Sequence, residues 1–177
     1  AQDTIPPTIE GISPANNTGS VPTNEPISFS VRTFPKATDV NINTLTVKAR
    51  GLLTDSNGDI ILDAYGLPAE KTFVEPDELG QLVFDQREVS ISEDSDGLGY
   101  SINIVPLNPY PLSSRVDVTV QVFDLASNEA NAAFSFTTSD DDAPTLVDPL
   151  PSPNSVANSI ASAISFTLAD QQGTFSG

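Results

Sequence analysis

Apolar and polar residues alternate along much of this chain, which is the period-2 pattern of β-strands with one buried face. The strictest example is 116–122, VDVTVQV, in which Asp117, Thr119 and Gln121 separate four valines. The segment 9–13 is interpreted as a short first strand between prolines. The same alternation predicts inward-facing residues in four further segments: Ile27, Phe29 and Val31 in 26–32; Leu45, Val47 and Ala49 in 45–49; Tyr100, Ile102 and Ile104 in 100–104; Phe134 and Phe136 in 134–136. No segment sustains a 3.6-residue apolar period with helix caps, so we expect almost no helix.

The segment 52–93 is less regular and is interpreted as a long insertion. Within it, Asn57-Gly58 is a strong signal for a short hairpin turn, and Asp96-Gly97, between 89–91 and 100–102, is a second such signal. Together with the alternating segments, these turns predict a domain of roughly seven to nine strands, which is the pattern of an all-β antiparallel β-sandwich.

An internal repeat divides the chain. The residues 3–9, DTIPPTI, return at 140–146 as DDDAPTL, and Pro7 and Pro144 are 137 positions apart. ISFS at 27–30 returns as ISFT at 164–167, at the same offset of 137. Ser13-Pro14 is matched with Ser152-Pro153 at an offset of 139, which predicts a loop difference of two residues. We therefore expect one complete domain over 3–139 and the start of a second, incomplete copy over 140–177.

The amino-acid composition excludes several classes of catalytic and metal-binding site. The chain has no Cys, His, Met or Trp. Without thiolate or imidazole groups, Ser-His-Asp hydrolysis, cysteine proteolysis and ordinary zinc sites are excluded. Paired carboxylates could cleave glycosides, but no aromatic platform accompanies them, since most of the 9 Phe fall on inward strand faces. We expect no catalytic residues and no enzyme activity.

The net charge of the chain limits the classes of molecule that it is expected to bind. With 24 acidic against 7 basic residues, the net charge is −17 and the pI is about 4.1. Phosphate backbones and anionic lipid surfaces should be repelled, so nucleic acid is not an expected partner. No apolar run approaches the ~18 residues of a transmembrane helix, so membrane insertion is not expected either. Divalent cations are the natural small partners of such a chain.

Several sequence motifs resemble bacterial immunoglobulin-like (Ig-like) repeats, of the cadherin-like or invasin-like kind, found in large surface adhesins and in phage virion proteins. In those repeats a D-x-x-P-P-T-I linker precedes an I-S-F-x-V strand, and a V-x-V-x-V-x-D-x-A-x-N strand and turn precede F-x-F-T-T. The matching positions are Asp3, Pro6, Pro7, Thr8 and Ile9; Ile27, Phe29 and Val31; Val118, Val120, Asp124, Ala126 and Asn128; Phe134, Phe136, Thr137 and Thr138. The resemblance covers the first and last thirds of 3–139, and the middle carries no motif of those repeats.

The resemblance implies that 3–139 is an Ig-like β-sandwich with a long irregular insertion at about 52–93, and that 140–177 starts a second such domain. It also implies a non-catalytic spacer, display or attachment module in an extracellular setting, either a virion or a bacterial cell surface. Its partners would be other protein subunits of that assembly, with a host glycan or receptor as the alternative. A ligand-binding loop would need an exposed aromatic residue, and 52–76 is the only segment long enough to hold one. Tyr65, Tyr100 and Tyr110 are better interpreted as packing at the edge of the core than as a sugar-stacking site, although Tyr65 and Tyr110 lie in loop-like segments from which they could touch a partner.

The one candidate cofactor is Ca²⁺, at the predicted domain junction. A linker carboxylate run, Asp140, Asp141 and Asp142, could combine with Asp124 or Asn128 to supply the six to eight oxygens that Ca²⁺ requires. In this respect the run is similar to the acidic linkers of cadherin-like repeats. The alternative, which we favour, is a solvated hinge at the run and an Asx turn at Asp124 and Asn128.

The segment 55–59, DSNGD, has the start of an EF-hand calcium loop. The sixth position is Ile60 where Gly is needed, and the twelfth is Gly66 where a bidentate Glu belongs. This mismatch favours a hairpin turn over a calcium loop.

Overall fold

The structure, a computed structural model, describes residues 3–35, 37–140, 145–152, 163–170 and 173–176. The chain forms two compact units, Ala1–Ser139 and Asp140–Gly177, and the division falls at the boundary drawn from the sequence repeat. The described residues form strands, turns and loops with no helix, so the predicted all-β class is confirmed.

The first unit contains ten strands: β1 (Thr8–Ser13), β2 (Thr18–Val21), β3 (Ile27–Arg32), β4 (Val40–Arg50), β5 (Glu70–Pro76), β6 (Leu82–Phe84), β7 (Val89–Glu93), β8 (Gly99–Ile104), β9 (Arg115–Asp124) and β10 (Glu129–Thr138). They form a four-stranded sheet, β1-β3-β8-β7, and a six-stranded sheet, β2-β10-β9-β4-β5-β6. All pairs are antiparallel except β2 with β10. This is the strand order of an immunoglobulin sandwich, with β5 and β6 in the positions of the two extra strands of variable domains.

The core lies between the two sheets. Alternate residues of β9, namely Val116, Val118, Val120 and Val122, are buried together with Ile27, Phe29 and Val31 of β3. Burying each such side chain stabilises the fold by about 1.5–3 kcal/mol relative to exposure. The alternation in the sequence therefore predicted both the strands and the face that each one buries.

The interpretation of 52–93 as an irregular insertion was wrong. This segment supplies β5 and β6 to one sheet and β7 to the other, so the first unit has more strands than expected. Strand β5 escaped detection because it buries two consecutive residues, Phe73 and Val74. Its register with β4 shifts between Val47 and Lys48, and such a bulge interrupts the strict alternation.

The second unit contains an antiparallel sheet of β11 (Thr145–Leu150), β12 (Ser165–Asp170) and β13 (Gly173–Ser176). Its pairing follows that of the first unit with an offset of 137. Thr8 pairs with Arg32 and Thr145 with Ala169, and both ladders shift register before their last pair, Ser13 with Ser28 and Leu150 with Ser165.

The backbone repeats at the same offset. Gly11 and Asp148 both have positive φ, and the Ser13-Pro14 and Leu150-Pro151 bonds are both cis. Because Ser13 pairs with Ser28 and Leu150 with Ser165, the counterpart of Pro14 is Pro151, 137 positions later, and the match to Ser152-Pro153 was wrong. No loop difference of two residues separates these strands.

Candidate interaction site and the predicted calcium ligands

Asp124 and Asn128 form a closed turn between β9 and β10. Asp124 is only 2% exposed. Its Oδ1 accepts hydrogen bonds from the backbone N–H groups of Ala126 and Asn128, both at 2.8 Å, and its Oδ2 accepts one from Asn128 Nδ2 at 2.7 Å. The structure thus gives Asp124 the Asx-turn role, in which both carboxylate oxygens satisfy N–H donors of the same turn.

The other predicted calcium ligands are Asp140, Asp141 and Asp142. Asp140 is the first residue of the second unit, while Asp141 and Asp142 lie outside the described residues. Within the described part of the chain, no three Asp, Glu, His or Cys side chains are grouped so that they could hold a metal ion. The five-residue calcium site stays a prediction.

The turn at Asp124 recurs in three other hairpins. In each one, the Oδ1 of an aspartate accepts the N–H groups two and four residues later, and a residue with positive φ lies three residues later. The aspartates are Asp55, Asp63 and Asp77, and the positive-φ residues are Gly58, Gly66 and Gly80. The hairpin turn predicted at 55–59 is thereby confirmed. The turns at 63–67 and 77–81 were missed, although an aspartate three residues before a glycine marks both.

The second of these turns presents large apolar side chains to solvent. Tyr65, at its tip, is 90% exposed, and Ile61, Leu62 and Leu67 are also exposed. A bridge between Leu62 and Pro68 and a 2.8 Å hydrogen bond from Ala69 N to Ile61 O close the hairpin. We refer to residues 61–69 as the Tyr65 hairpin.

Arg50 of β4 fastens the Tyr65 hairpin to the six-stranded sheet. Its Nη1 donates to Asp63 Oδ2 at 2.8 Å and to the carbonyl oxygen of Pro68 at 2.7 Å. The hydrogen bond from Arg50, followed by those from the N–H groups of Tyr65 and Leu67, lowers the pKa of Asp63 below its usual value. Asp63 therefore stays ionised at neutral pH, and its carboxylate joins the sheet to the tip of the hairpin.

Tyr110 is buried in the core, in agreement with its interpretation as a packing residue, and it is not exposed to touch a partner. It is 6% exposed and packs against Phe136 with ring centroids 6.0 Å apart. Its hydroxyl has no hydrogen-bond partner among the described residues. Burial, and then the negative charges of Glu88 and Glu25, raise the pKa of Tyr110.

Tyr110 lines a cavity of about 340 Å³ together with Lys71, Glu88 and Asn108. Lys71 Nζ lies 2.5 Å from Glu88 Oε1 and 4.7 Å from the centroid of the Phe73 ring. Since Lys71 is on β5 and Glu88 directly precedes β7, this ion pair ties an inner strand of one sheet to the edge strand of the other.

The sequence matches no protein-family model and no curated protein. Among the described residues, no helix could cross a membrane.

Proposed function

We propose that this chain is a non-enzymatic structural and attachment module, an Ig-like spacer that repeats in tandem on the outside of a phage virion or a similar extracellular assembly. A repeat of a bacterial cell-surface adhesin is the alternative setting. The observation that carries the proposal is the constant offset of 137 between the β1–β3 and β11–β12 ladders, which extends from the sequence to the strand register. Tandem domains of one kind build extended structures that hold a binding element away from a surface.

The distribution of charge supports an exposed, soluble module. Six of the seven basic residues are described, and each one lies within 3.6 Å of a carboxylate: Arg32, Lys48, Arg50, Lys71, Arg87 and Arg115. The excess carboxylates dominate the rest of the surface. A net charge of −17 keeps like copies apart and favours partners of opposite charge.

The proposal is tested by locating the protein in its source. An antibody raised against the full chain should label the outside of intact particles or cells in immunogold electron microscopy, without permeabilisation. Label on purified particles supports the virion, and label on cells alone supports the adhesin. Label that requires permeabilisation, as for a cytoplasmic control protein, contradicts an external module, and reproducible turnover of a glycoside, peptide or phosphate substrate contradicts a non-enzymatic one.

A further inference from the structure

We propose that the Tyr65 hairpin is the docking element of this module, and that its partner is a protein with a basic rim around an apolar pocket. This inference rests on the proposed attachment function. It adds the location of the contact and the chemistry of the partner.

The Tyr65 hairpin presents an aromatic side chain to solvent. Tyr65 is 90% exposed, whereas the other two tyrosines, Tyr100 and Tyr110, are partly or fully buried. An aromatic side chain can remove roughly 150–250 Å² from water when it enters a pocket. Tyrosine is also one of the residue types that dominate binding energy in protein interfaces. Tyr65 is therefore the residue of this hairpin with the most to gain from a partner.

The Tyr65 hairpin is ordered before any partner binds. Arg50 holds Asp63 and Pro68, Asp63 holds the N–H groups of Tyr65 and Leu67, and Gly66 accommodates the positive φ of 76°. A loop that is rigid before binding loses little conformational entropy when it binds. Asp77 forms the same turn, but among the described residues no Lys or Arg forms an ion pair with it. Of these two turns, the one in the Tyr65 hairpin is fastened by an ion pair to a central strand, β4.

The charged and apolar side chains at the hairpin indicate the chemistry of its partner. Carboxylates surround the hairpin: Asp55 and Asp59 precede it, Asp63 lies within it and Glu70 follows it. Three basic side chains pair with these carboxylates or follow the hairpin in the sequence, and all three are engaged: Arg50 with Asp63 and Glu70, Lys48 with Glu70, and Lys71 with Glu88. Charge complementarity then requires a basic surface opposite. The three exposed aliphatic neighbours of Tyr65 fit an apolar protein pocket, whereas a carbohydrate would need polar groups at those positions.

The test is photo-crosslinking in the native assembly. The photoreactive amino acid p-benzoylphenylalanine replaces Tyr65 in the full chain, and Leu79 in a matched control. Leu79 occupies the same place in the Asp77 turn and is 84% exposed. We expect a protein adduct at position 65 that is at least about fivefold stronger than at position 79, because only an anchoring side chain is held against its partner.

The crosslinked protein is then purified and its affinity for the full chain measured. We expect Tyr65→Ala to weaken binding at least about tenfold, and Leu79→Ala to change it less than about twofold. Raising the salt concentration from about 50 to about 300 mM should also weaken binding, since screening reduces attraction to a basic rim. Both variants should keep the melting temperature of the parent, because both side chains project into solvent.

Several outcomes overturn the proposal. These are no adduct at position 65, adducts of equal strength at both positions, an adduct removed by glycosidase, or an adduct with a second copy of this acidic chain. An affinity that is insensitive to salt contradicts the basic rim. External immunogold labelling without a crosslink at position 65 would leave the module function standing and remove only this docking site.

Discussion

Tyr110 shows how a single hydroxyl can limit the stability of the sandwich. Its OH is buried without a hydrogen-bond partner among the described residues, and such a group loses its water without compensation. We expect Tyr110→Phe to stabilise the fold by about 1 kcal/mol at pH 7. Urea unfolding of both proteins, followed by circular dichroism, measures the difference.

The same substitution should change how stability depends on alkaline pH. Burial raises the pKa of Tyr110 in the folded state above the value of about 10 in the unfolded chain. The folded state therefore binds this proton more tightly, and the associated stability is complete below about pH 10 and lost as pH rises further. Tyr110→Phe should remove this loss, so its advantage should widen above about pH 10. Tyr100→Phe serves as the control. A lower stability of Tyr110→Phe at pH 7 would mean that the hydroxyl has a partner.

The two loop tyrosines also show what the sequence could not predict at this scale. Tyr65 and Tyr110 both lie between strands, in segments rich in proline, glycine or polar residues. Their fates differ because Tyr110 N donates to Thr23 O at 2.7 Å and its ring meets Phe136, which is distant in sequence. Local pattern predicts that a residue is in a loop. Only tertiary contacts decide whether that loop is folded against the core.

At the scale of the elements, the aspartate turns set the connections between strands. In the turn at Asp124 three N–H donors depend on a buried carboxylate, whereas in the turn at Asp77 two depend on an exposed one. We expect Asp124→Ala to cost about 3 kcal/mol and Asp77→Ala about 1 kcal/mol, because unsatisfied donors cost more when buried. Urea unfolding tests both.

Asp124 also links this turn to the predicted calcium site. If its role is the Asx turn, the cost of Asp124→Ala should be the same in excess chelator and in about 5 mM Ca²⁺, a concentration that fills weak extracellular sites. A cost that appears only with Ca²⁺ would instead make Asp124 a ligand.

Gly51 ends β4 at a place where no side chain fits. It has a φ of 85°, and a Cβ there would lie 2.0 Å from the carbonyl oxygen of Arg115 on the neighbouring strand β9. Gly58 has a similar φ of 90° but open space around it. We expect Gly58→Ala to cost about 1 kcal/mol from backbone strain alone, and Gly51→Ala to cost more than about 3 kcal/mol because β9 must also move. Thermal unfolding compares them, and equal costs would show that φ rather than the contact decides.

The strands that the sequence predicted and those it missed differ in a physical way. Strands β3 and β9 are buried on one face along their whole length, so their alternation is complete. Strand β2 buries only Val21, and its parallel pairing with β10 leaves little trace in its own residues. Strand β5 has a bulge. Alternation therefore detects strands that bury one face along their whole length, and it misses β2, which buries one residue, and β5, which buries two consecutive residues. The Tyr65 hairpin lies outside the two sheets, where strand alternation gives no signal. The sequence therefore located it only as part of the long segment 52–76.

For the whole molecule, the offset of 137 allows a comparison of equivalent residues in different surroundings. Ile27 and Ile164 occupy the same position relative to their paired strands, yet Ile27 is fully buried and Ile164 is 80% exposed. The β1–β3 and β11–β12 pairings are shared, but Ile27 also pairs with Ile104 of β8. The difference between the two positions therefore comes from that further strand and the packing that it brings. We expect Ile27→Ala to cost about 3–4 kcal/mol, as for other buried isoleucines, and Ile164→Ala to cost less than about 0.5 kcal/mol.

Hydrogen exchange of backbone amides measures the two positions separately within one chain, because it reports the local free energy of opening for each strand. Ile27→Ala should speed exchange in β3 and β8, while Ile164→Ala should leave exchange in β12 unchanged. If Ile164→Ala speeds exchange in β12 as much as Ile27→Ala does in β3, Ile164 must be covered in solution. That result would mean that the second unit shares not only the strand register of the first but also a packed core, and the two substitutions would then carry equal cost because equal apolar area is lost from each.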